Sequence, residues 1–241
     1  MFSIIRPSNP NNNLRQQCRW HGYYTTSALE QAAVQTILDT AQLAIKERKA
    51  FHLVLAGGNT PRHVYELLRG KIADWSDWHI YFGDERCLPI DHAERNSQMA
   101  AQAWLNHVSI PASQIHIIPA ERGAETAAHS YAQILGKIEL FDLVLLGLGE
   151  DGHTASLFPG HDWGTSSDST STFAVNDAPK PPSQRVSLSA LRLSQTRKLM
   201  FLVTGAGKRQ AVKDWRNGVD IPAAAITPDN GVDIYLEDAL L

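Results

Sequence analysis

The chain has 241 residues, 43% apolar and 20% charged, with a formal net charge of −3 at pH 7. That length can bury a sizeable core, and α/β chains of this size commonly fold as one unit, so residues 1–241 are read as a single domain. The weak negative charge gives no attraction toward nucleic acid or an anionic membrane, and Cys18 and Cys87 provide neither a disulfide framework nor a paired-thiol metal spacing.

No stretch approaches the roughly 20 apolar residues of a membrane span, and the apolar run at 1–5 is too short for a secretory signal. The expectation is a soluble, cytoplasmic protein, with a monomer favoured. In chain order, the asparagine run at 11–13 reads as a loop, and a helical pattern follows at 27–49. Short apolar runs at 51–56, 78–82, 114–118, 141–146, 198–204 and 232–236 have the length and flanking turns of buried strands. Helical patterns at 61–69, 96–107, 121–138 and 207–215 lie between them. The Ser/Thr/Pro-rich stretch at 160–183 interrupts this alternation as a surface excursion. No internal repeat is present. Alternation of this kind predicts an α/β fold: a three-layer sandwich with a mostly parallel sheet covered by helices on both faces.

In such sheets ligands bind beyond the carboxyl ends of the strands, which directs attention to four loops. Gly57-Gly58-Asn59-Thr60-Pro61 allows close backbone approach and opens a helix, capped by Asn59 or Thr60, whose amides can meet an anion. A simple strand-to-helix turn is the plainer alternative. Gly83-Asp84-Glu85-Arg86 sets three charges at a buried strand end: Arg86 can hold phosphate in a two-pronged geometry, and Asp84 can act as a base or orient one. For Glu85 an internal ion pair with arginine is the favoured reading.

The third loop, Gly147-Leu148-Gly149-Glu150-Asp151-Gly152-His153-Thr154, imitates both G-x-G-x-x-G and the phosphate-loop pattern. Both readings fail, because Glu150 and Asp151 would meet a polyphosphate with like charge and His153 stands where the phosphate loop has lysine. Pro159-Gly160 also stops the short helix expected to carry Thr154 and Ser156. What the turn offers is His153 beside Asp151, an imidazole suited to taking a proton from water at neutral pH. His21, His52, His63, His107, His116 and His129 have no comparable setting, and no compact metal-ligand spacing is present. The fourth loop, Thr204-Gly205-Ala206-Gly207-Lys208, places Lys208 at a helix start, where an anion would compensate its charge; a solvated surface lysine is the alternative. Arg185 is a further basic candidate.

Taken in order, Gly57-Gly58-Asn59-Thr60-Pro61, Gly83-Asp84-Glu85-Arg86 and the run from Gly147 to Pro159, with Arg185-Val186-Ser187-Leu188 and Gly205-Ala206-Gly207-Lys208, resemble the 6-phosphogluconolactonase family across essentially the whole chain. The resemblance implies a fold shared with glucosamine-6-phosphate deaminases and hydrolysis of 6-phospho-D-glucono-1,5-lactone to 6-phosphogluconate in the oxidative pentose phosphate pathway, with no metal and no organic cofactor. It also implies that His153 is the general base and then the acid, with Asp84 or Asp151 orienting it. The phosphate would be held by Arg86, Lys208, amides of Gly58, Asn59 and Thr60, and Arg185. Asn96 matches a family asparagine, with a helix cap as its plainer role. The stretch at 160–182 is richer in Ser and Thr than the family pattern. The sugar-phosphate deaminases resemble the chain too, but typically continue Gly-His-Ile-Ala-Phe-Asn-Glu-Pro where this chain has Gly-His-Thr-Ala-Ser-Leu-Phe-Pro. A non-catalytic sugar-phosphate sensor is the third reading; it would usually carry a DNA-binding segment, and no basic helix-turn-helix pattern is evident.

Overall fold

The computed structural model describes residues 2–5 and 16–241, so the asparagine run at 11–13 lies outside the described residues. The chain begins with β1 (Phe2–Ile5) and β2 (Gln17–Tyr23), then α1 (Thr26–Arg48), β3 (Phe51–Leu55) and α2 (Asn59–Leu68). Next come β4 (Trp78–Phe82), β5 (Asp84–Arg86), α3 (Asn96–Ala103), α4 (Ala124–Leu135) and β6 (Leu143–Gly147). The remainder is β7 (Thr172–Val175), β8 (Arg185–Leu188), α5 (Ala190–Ser194), β9 (Leu199–Val203), α6 (Arg209–Arg216) and β10 (Val232–Glu237).

Seven strands form the main sheet in the order β1-β2-β10-β9-β6-β3-β4. Only β1 runs antiparallel to its neighbour; the other pairs are parallel, as the alternation of strand and helix requires. Strands β3, β6 and β9 are apolar almost throughout and buried on both sides. Register places Trp20, Ile234 and Phe201 in one row and His21, Tyr235 and Leu202 in the next. The first row meets Trp215 of α6, whose ring centroid lies 5.4 Å from that of Trp20 and 4.7 Å from that of Phe201. The second faces α1, where Thr36 bonds the Tyr235 hydroxyl at 2.9 Å. Helices therefore cover both faces, and the three-layer sandwich is observed. No helix among the described residues is long and apolar enough to cross a membrane.

The path reverses between β3 and β6: β3 leads outward to β4, whereas β6 leads through β9 to β10 on the other side. This switch point opens a crevice between the loops after β3 and β6.

Four expectations need correction. The run at 114–118 forms no strand, only a bridge from Ile115 to Ile80, because a 3-10 turn occupies Ala112–Gln114 and Pro119 follows closely. The helix expected at 121–138 starts only at Ala124: Gly123 adopts φ +87°, and Glu121 sits in the preceding 3-10 turn, where it accepts from Arg95 Nη1 at 2.8 Å. The helix at 96–107 ends at Ala103 and resumes as a 3-10 turn at Leu105–His107. The excursion at 160–183 contains a strand, β7. It joins β5 and β8 in a small antiparallel sheet of order β5-β8-β7.

Candidate active site

A cleft of about 210 Å³ opens at the switch point, lined from all four strand-end loops. Its walls include Gly57, Gly58, Asp84, Arg86, Asn96, Gly149, His153, Arg185 and Lys208. The loops chosen from sequence thus converge on one cavity.

The loop after β6 is not the helix start expected. Residues 149–153 form a tight turn closed by Gly149 N donating to His153 O at 2.7 Å and Gly152 N to Gly149 O at 3.1 Å. Instead of a helix, a bridge joins Thr154 to Leu157, and Ala155 takes φ +48°, which a right-handed helix cannot contain. Two side chains hold the backbone in this form. Thr154 Oγ1 donates to Gly147 O at 2.9 Å, and Ser156 Oγ donates to Asp84 Oδ2 at 2.7 Å. Two glycines are required here: a Cβ on Gly149 would lie 2.0 Å from His153 Nδ1, and Gly152 combines φ +85° with a Cβ position 2.8 Å from Ile221.

This turn brings His153 Nδ1 to 2.5 Å from Asp151 Oδ1, with the ring centroid 4.9 Å from that of Phe158. Burial lowers the His153 pKa and outweighs the opposing pull of Asp151, so the imidazole is neutral at pH 7. Burial also works against the Asp151 carboxylate, but its hydrogen bond and attraction to His153 win and hold its pKa below the ordinary carboxylate value. With Nδ1–H committed to Asp151, Nε2 carries the lone pair that can take a proton.

Asp84 is placed differently. Its Oδ1 accepts from Asn96 Nδ2 at 3.0 Å and its Oδ2 from Ser156 Oγ, so it bonds the loop bearing His153 without bonding the imidazole. Asn96 is therefore a tether for Asp84 and not the cap of α3. Glu85 takes that function, accepting from the amides of Asn96 at 2.7 Å and Ser97 at 2.9 Å, and lies 3.5 Å from Arg95. The internal pairing expected for Glu85 is observed.

Strands β5 and β8 pair so that Arg86 stands directly opposite Arg185. Cross-strand partners share a face, where two like charges repel, which is a cost unless an anion offsets it. Burial lowers the Arg185 pKa, Asp84 raises it and Arg86 lowers it further. Arg86 Nη1 donates to Glu94 O, while its buried Nε has no hydrogen-bond partner among the described residues. Lys208 lies in the 3-10 turn before α6, not in the helix itself; burial lowers its pKa and Glu150 counters this. Helix α2 starts two residues earlier than expected. Its N-cap is Gly58 at φ +104°, with no side-chain cap, so neither Asn59 nor Thr60 caps it. The Thr60 hydroxyl bonds that of Thr204 at 2.6 Å, and the amides of Asn59 and Thr60 stand at the helix start, where an anion can be met. Among the described residues no group of three His, Cys, Asp or Glu is placed to hold a metal ion.

Sequence reasoning missed Ser187, whose Oγ accepts from Ser156 N at 3.2 Å and which stands opposite Asp84 in the sheet. Strands of three and four residues carry no readable periodicity, so nothing in the sequence disclosed that register.

The chain is similar to proteins named 6-phosphogluconolactonase. It is 38% identical over 178 residues to a 6-phosphogluconolactonase of Synechocystis, covering 70% of this chain and 72% of the relative. It is 35% identical over 210 residues to a 6-phosphogluconolactonase of Mycobacterium leprae, covering 80% and 85%. A protein of Oryza sativa named probable 6-phosphogluconolactonase 4, chloroplastic, is 36% identical over 206 residues, or 77% of this chain, and the match spans only 63% of that longer protein. Among solved structures, the devB protein superposes with a TM-score of 0.83 at 30% identity, covering 92% of this chain and 98% of that one. A monomeric glucosamine-6-phosphate deaminase shares the fold, with a TM-score of 0.77 at 21% identity and coverage of 92% and 98%. The sequence profile described as glucosamine-6-phosphate isomerases/6-phosphogluconolactonase matches residues 24–235, and the chain belongs to that family.

Proposed function

We propose that this chain hydrolyses 6-phospho-D-glucono-1,5-lactone to 6-phospho-D-gluconate, the second step of the oxidative pentose phosphate pathway. The observation that carries the reading is the convergence of a carboxylate-paired, neutral histidine with Arg86, Arg185 and Lys208 in one cleft. A lactone with a distant phosphate needs both: a base for water, and cations that position the ester through the phosphate.

In this mechanism His153 Nε2 takes a proton from water as the water oxygen attacks the C1 carbonyl. Asp151 stabilises the imidazolium that forms. The tetrahedral intermediate then collapses, the C1–O5 bond breaks, and the imidazolium returns its proton to O5. The new carboxylic acid ionises, leaving 6-phosphogluconate and one proton in solution. Arg86, Arg185 and Lys208, with the amides at the start of α2, hold the 6-phosphate. Proton transfer of this kind contributes about 10² to 10⁴ in rate.

The test follows freshly generated 6-phosphogluconolactone with wild type and His153→Ala, corrected for spontaneous hydrolysis. Wild type is expected to accelerate the loss, and His153→Ala to reduce kcat by about 10² to 10⁴. A wild type that adds nothing to the spontaneous rate refutes the activity; a fully active His153→Ala refutes the mechanism. Ammonia release from glucosamine-6-phosphate is the parallel assay for the deaminase chemistry of the same fold.

A further inference from the structure

The loop joining β7 to β8 carries a cation that the mechanism above does not use. Arg185 clamps this loop from the cleft wall: Nη2 donates to Lys180 O at 2.9 Å and Pro181 O at 3.4 Å, and Nε donates to Pro182 O at 3.1 Å. Ala178 N donates to Ser183 O at 3.0 Å and closes the loop at its base. The same guanidinium lies 3.5 Å from Ser156 Oγ, so three consecutive carbonyls of the loop are tied to the residue that anchors Asp84. The backbone of Lys180 is thereby fixed beside the cleft, while its side chain is exposed.

Among the described residues Lys180 forms no ion pair and no side-chain hydrogen bond. Burial is the main reason that His153 and Lys208 both lie below their ordinary pKa values, and the Lys180 ammonium pushes both further down. His153 sits in the turn after β6 and Lys208 in the turn before α6. One exposed lysine, its backbone held by the cleft residue Arg185, thus acts on two other residues that line the cleft.

We propose that Lys180 is a substrate-binding residue, its ammonium completing the cationic wall formed by Arg86, Arg185 and Lys208 around the phosphate dianion. The proposal rests on the sugar-phosphate reading of the cleft given above. It follows from charge as well as from placement: a further cation acting on Lys208, on a backbone bonded to Arg185, is unfavourable by itself and favourable once a dianion is bound. It also gives the Ser/Thr/Pro-rich excursion a function, since that segment delivers a phosphate ligand to the site.

The experiment compares wild type, Lys180→Met and Lys180→Arg in three measurements: kcat and KM on 6-phosphogluconolactone, competitive inhibition by inorganic phosphate, and the pH profile of kcat/KM. For Lys180→Met, KM and the phosphate inhibition constant should rise together by roughly 3- to 10-fold, the range for a partly solvated ammonium–phosphate contact, with a smaller change in kcat. Loss of its charge should also move the acidic limb to higher pH, because His153 then binds a proton more readily. Lys180→Arg should restore the wild-type constants. Unchanged KM and phosphate inhibition would overturn the proposal, as would a fall in kcat alone, which would mark the loop as structural. If wild type shows no lactonase activity, calorimetric titration of wild type and Lys180→Met with inorganic phosphate still decides it: equal affinity overturns the assignment, and weaker binding by the variant supports it.

Discussion

Removing the charge of Asp151 or of Asp84 separates the two carboxylates that the sequence offered as partners of His153. Asp151→Asn keeps an acceptor near Nδ1 at about the 2.5 Å separation but makes it neutral. Hydrogen bonds to charged groups are worth about 1.5 to 3 kcal/mol and neutral ones about 0.5 to 1.5, so the transition-state imidazolium loses about 1 to 2 kcal/mol. At 1.36 kcal/mol per tenfold, kcat should fall by about 5- to 30-fold. The variant should also titrate differently. Asp151 raises the His153 pKa, so its removal lets burial depress that pKa further, and the acidic limb of the profile moves to lower pH. Asp84→Asn alters a carboxylate bonded to Asn96 and Ser156, not to the imidazole. Its effect should fall mainly on KM, through Arg185, whose charge Asp84 supports. Steady-state kinetics from pH 4.5 to 8 on both variants decides the matter. If Asp151→Asn leaves kcat and the acidic limb unmoved while Asp84→Asn shifts both, the orienting group has been misassigned.

Gly149→Ala should disable the site without unfolding the chain, since its Cβ would lie 2.0 Å from His153 Nδ1 and 2.6 Å from Asp151 Oδ1; displacing the pair by an ångström costs roughly 10² in kcat, and a folded, fully active variant would contradict the packing. Away from the cleft, His52 stacks on His79 with ring centroids 4.8 Å apart and has Tyr81, Asp142, His116 and Arg48 around it. Burial first, then repulsion from His79, drops its pKa to about 4. Between pH 6.5 and 4 the unfolded chain binds a proton that the folded state refuses, so stability falls as pH falls, by up to about 3 kcal/mol at pH 4. Urea denaturation across that window should show a flatter pH dependence for His52→Phe; an unchanged slope would show that His52 is not responsible.

The parallel sheet was legible because β3, β4, β6, β9 and β10 are predominantly apolar runs of five or six residues, long enough for burial on both faces to show despite His52, His79 and Asp233 within them. Strand β2 was missed although Cys18 and Trp20 alternate with Gln17, Arg19 and His21, a period-two signal in a polar neighbourhood. The run at 114–118 failed in the opposite sense: Ile115, Ile117 and Ile118 have strand character, but their ladder pairing with β4 is limited to one bridge, and the other contacts there, such as His116 stacked on Tyr81, are made by side chains. At the site, residue types and their loops could be read, while their pairings could not. Whether Asp84 or Asp151 meets His153 depends on a turn whose form is set by Ala155 at φ +48° and by the Thr154 and Ser156 hydroxyls. Sequence reading gave those residues to a helix, because Thr-Ala-Ser-Leu-Phe contains nothing that forbids one.

The small sheet explains why the acidic glycine turn and the cations do not cancel one another. Glu150 and Asp151 would repel a phosphate placed on the 147–154 turn itself, which is where either nucleotide motif would need it. Strand β5 leaves β4 after Gly83 and pairs with β8, carrying Arg86 and Arg185 to a neighbouring wall of the crevice. Asp84, on the same strand as Arg86, is bonded through Ser156 to the turn that carries His153. One hydroxyl thus links the wall bearing the two arginines to the loop bearing His153. The separation suits a ligand whose reacting ester and anionic group lie at opposite ends. A polyphosphate concentrates its charge where this turn is acidic; under the proposed function a sugar-phosphate lactone sets its carbonyl against His153 and its phosphate against the arginines. The chemistry selected by the fold therefore depends less on the glycine spacing that the turn shares with nucleotide loops than on the three-residue strand beside it.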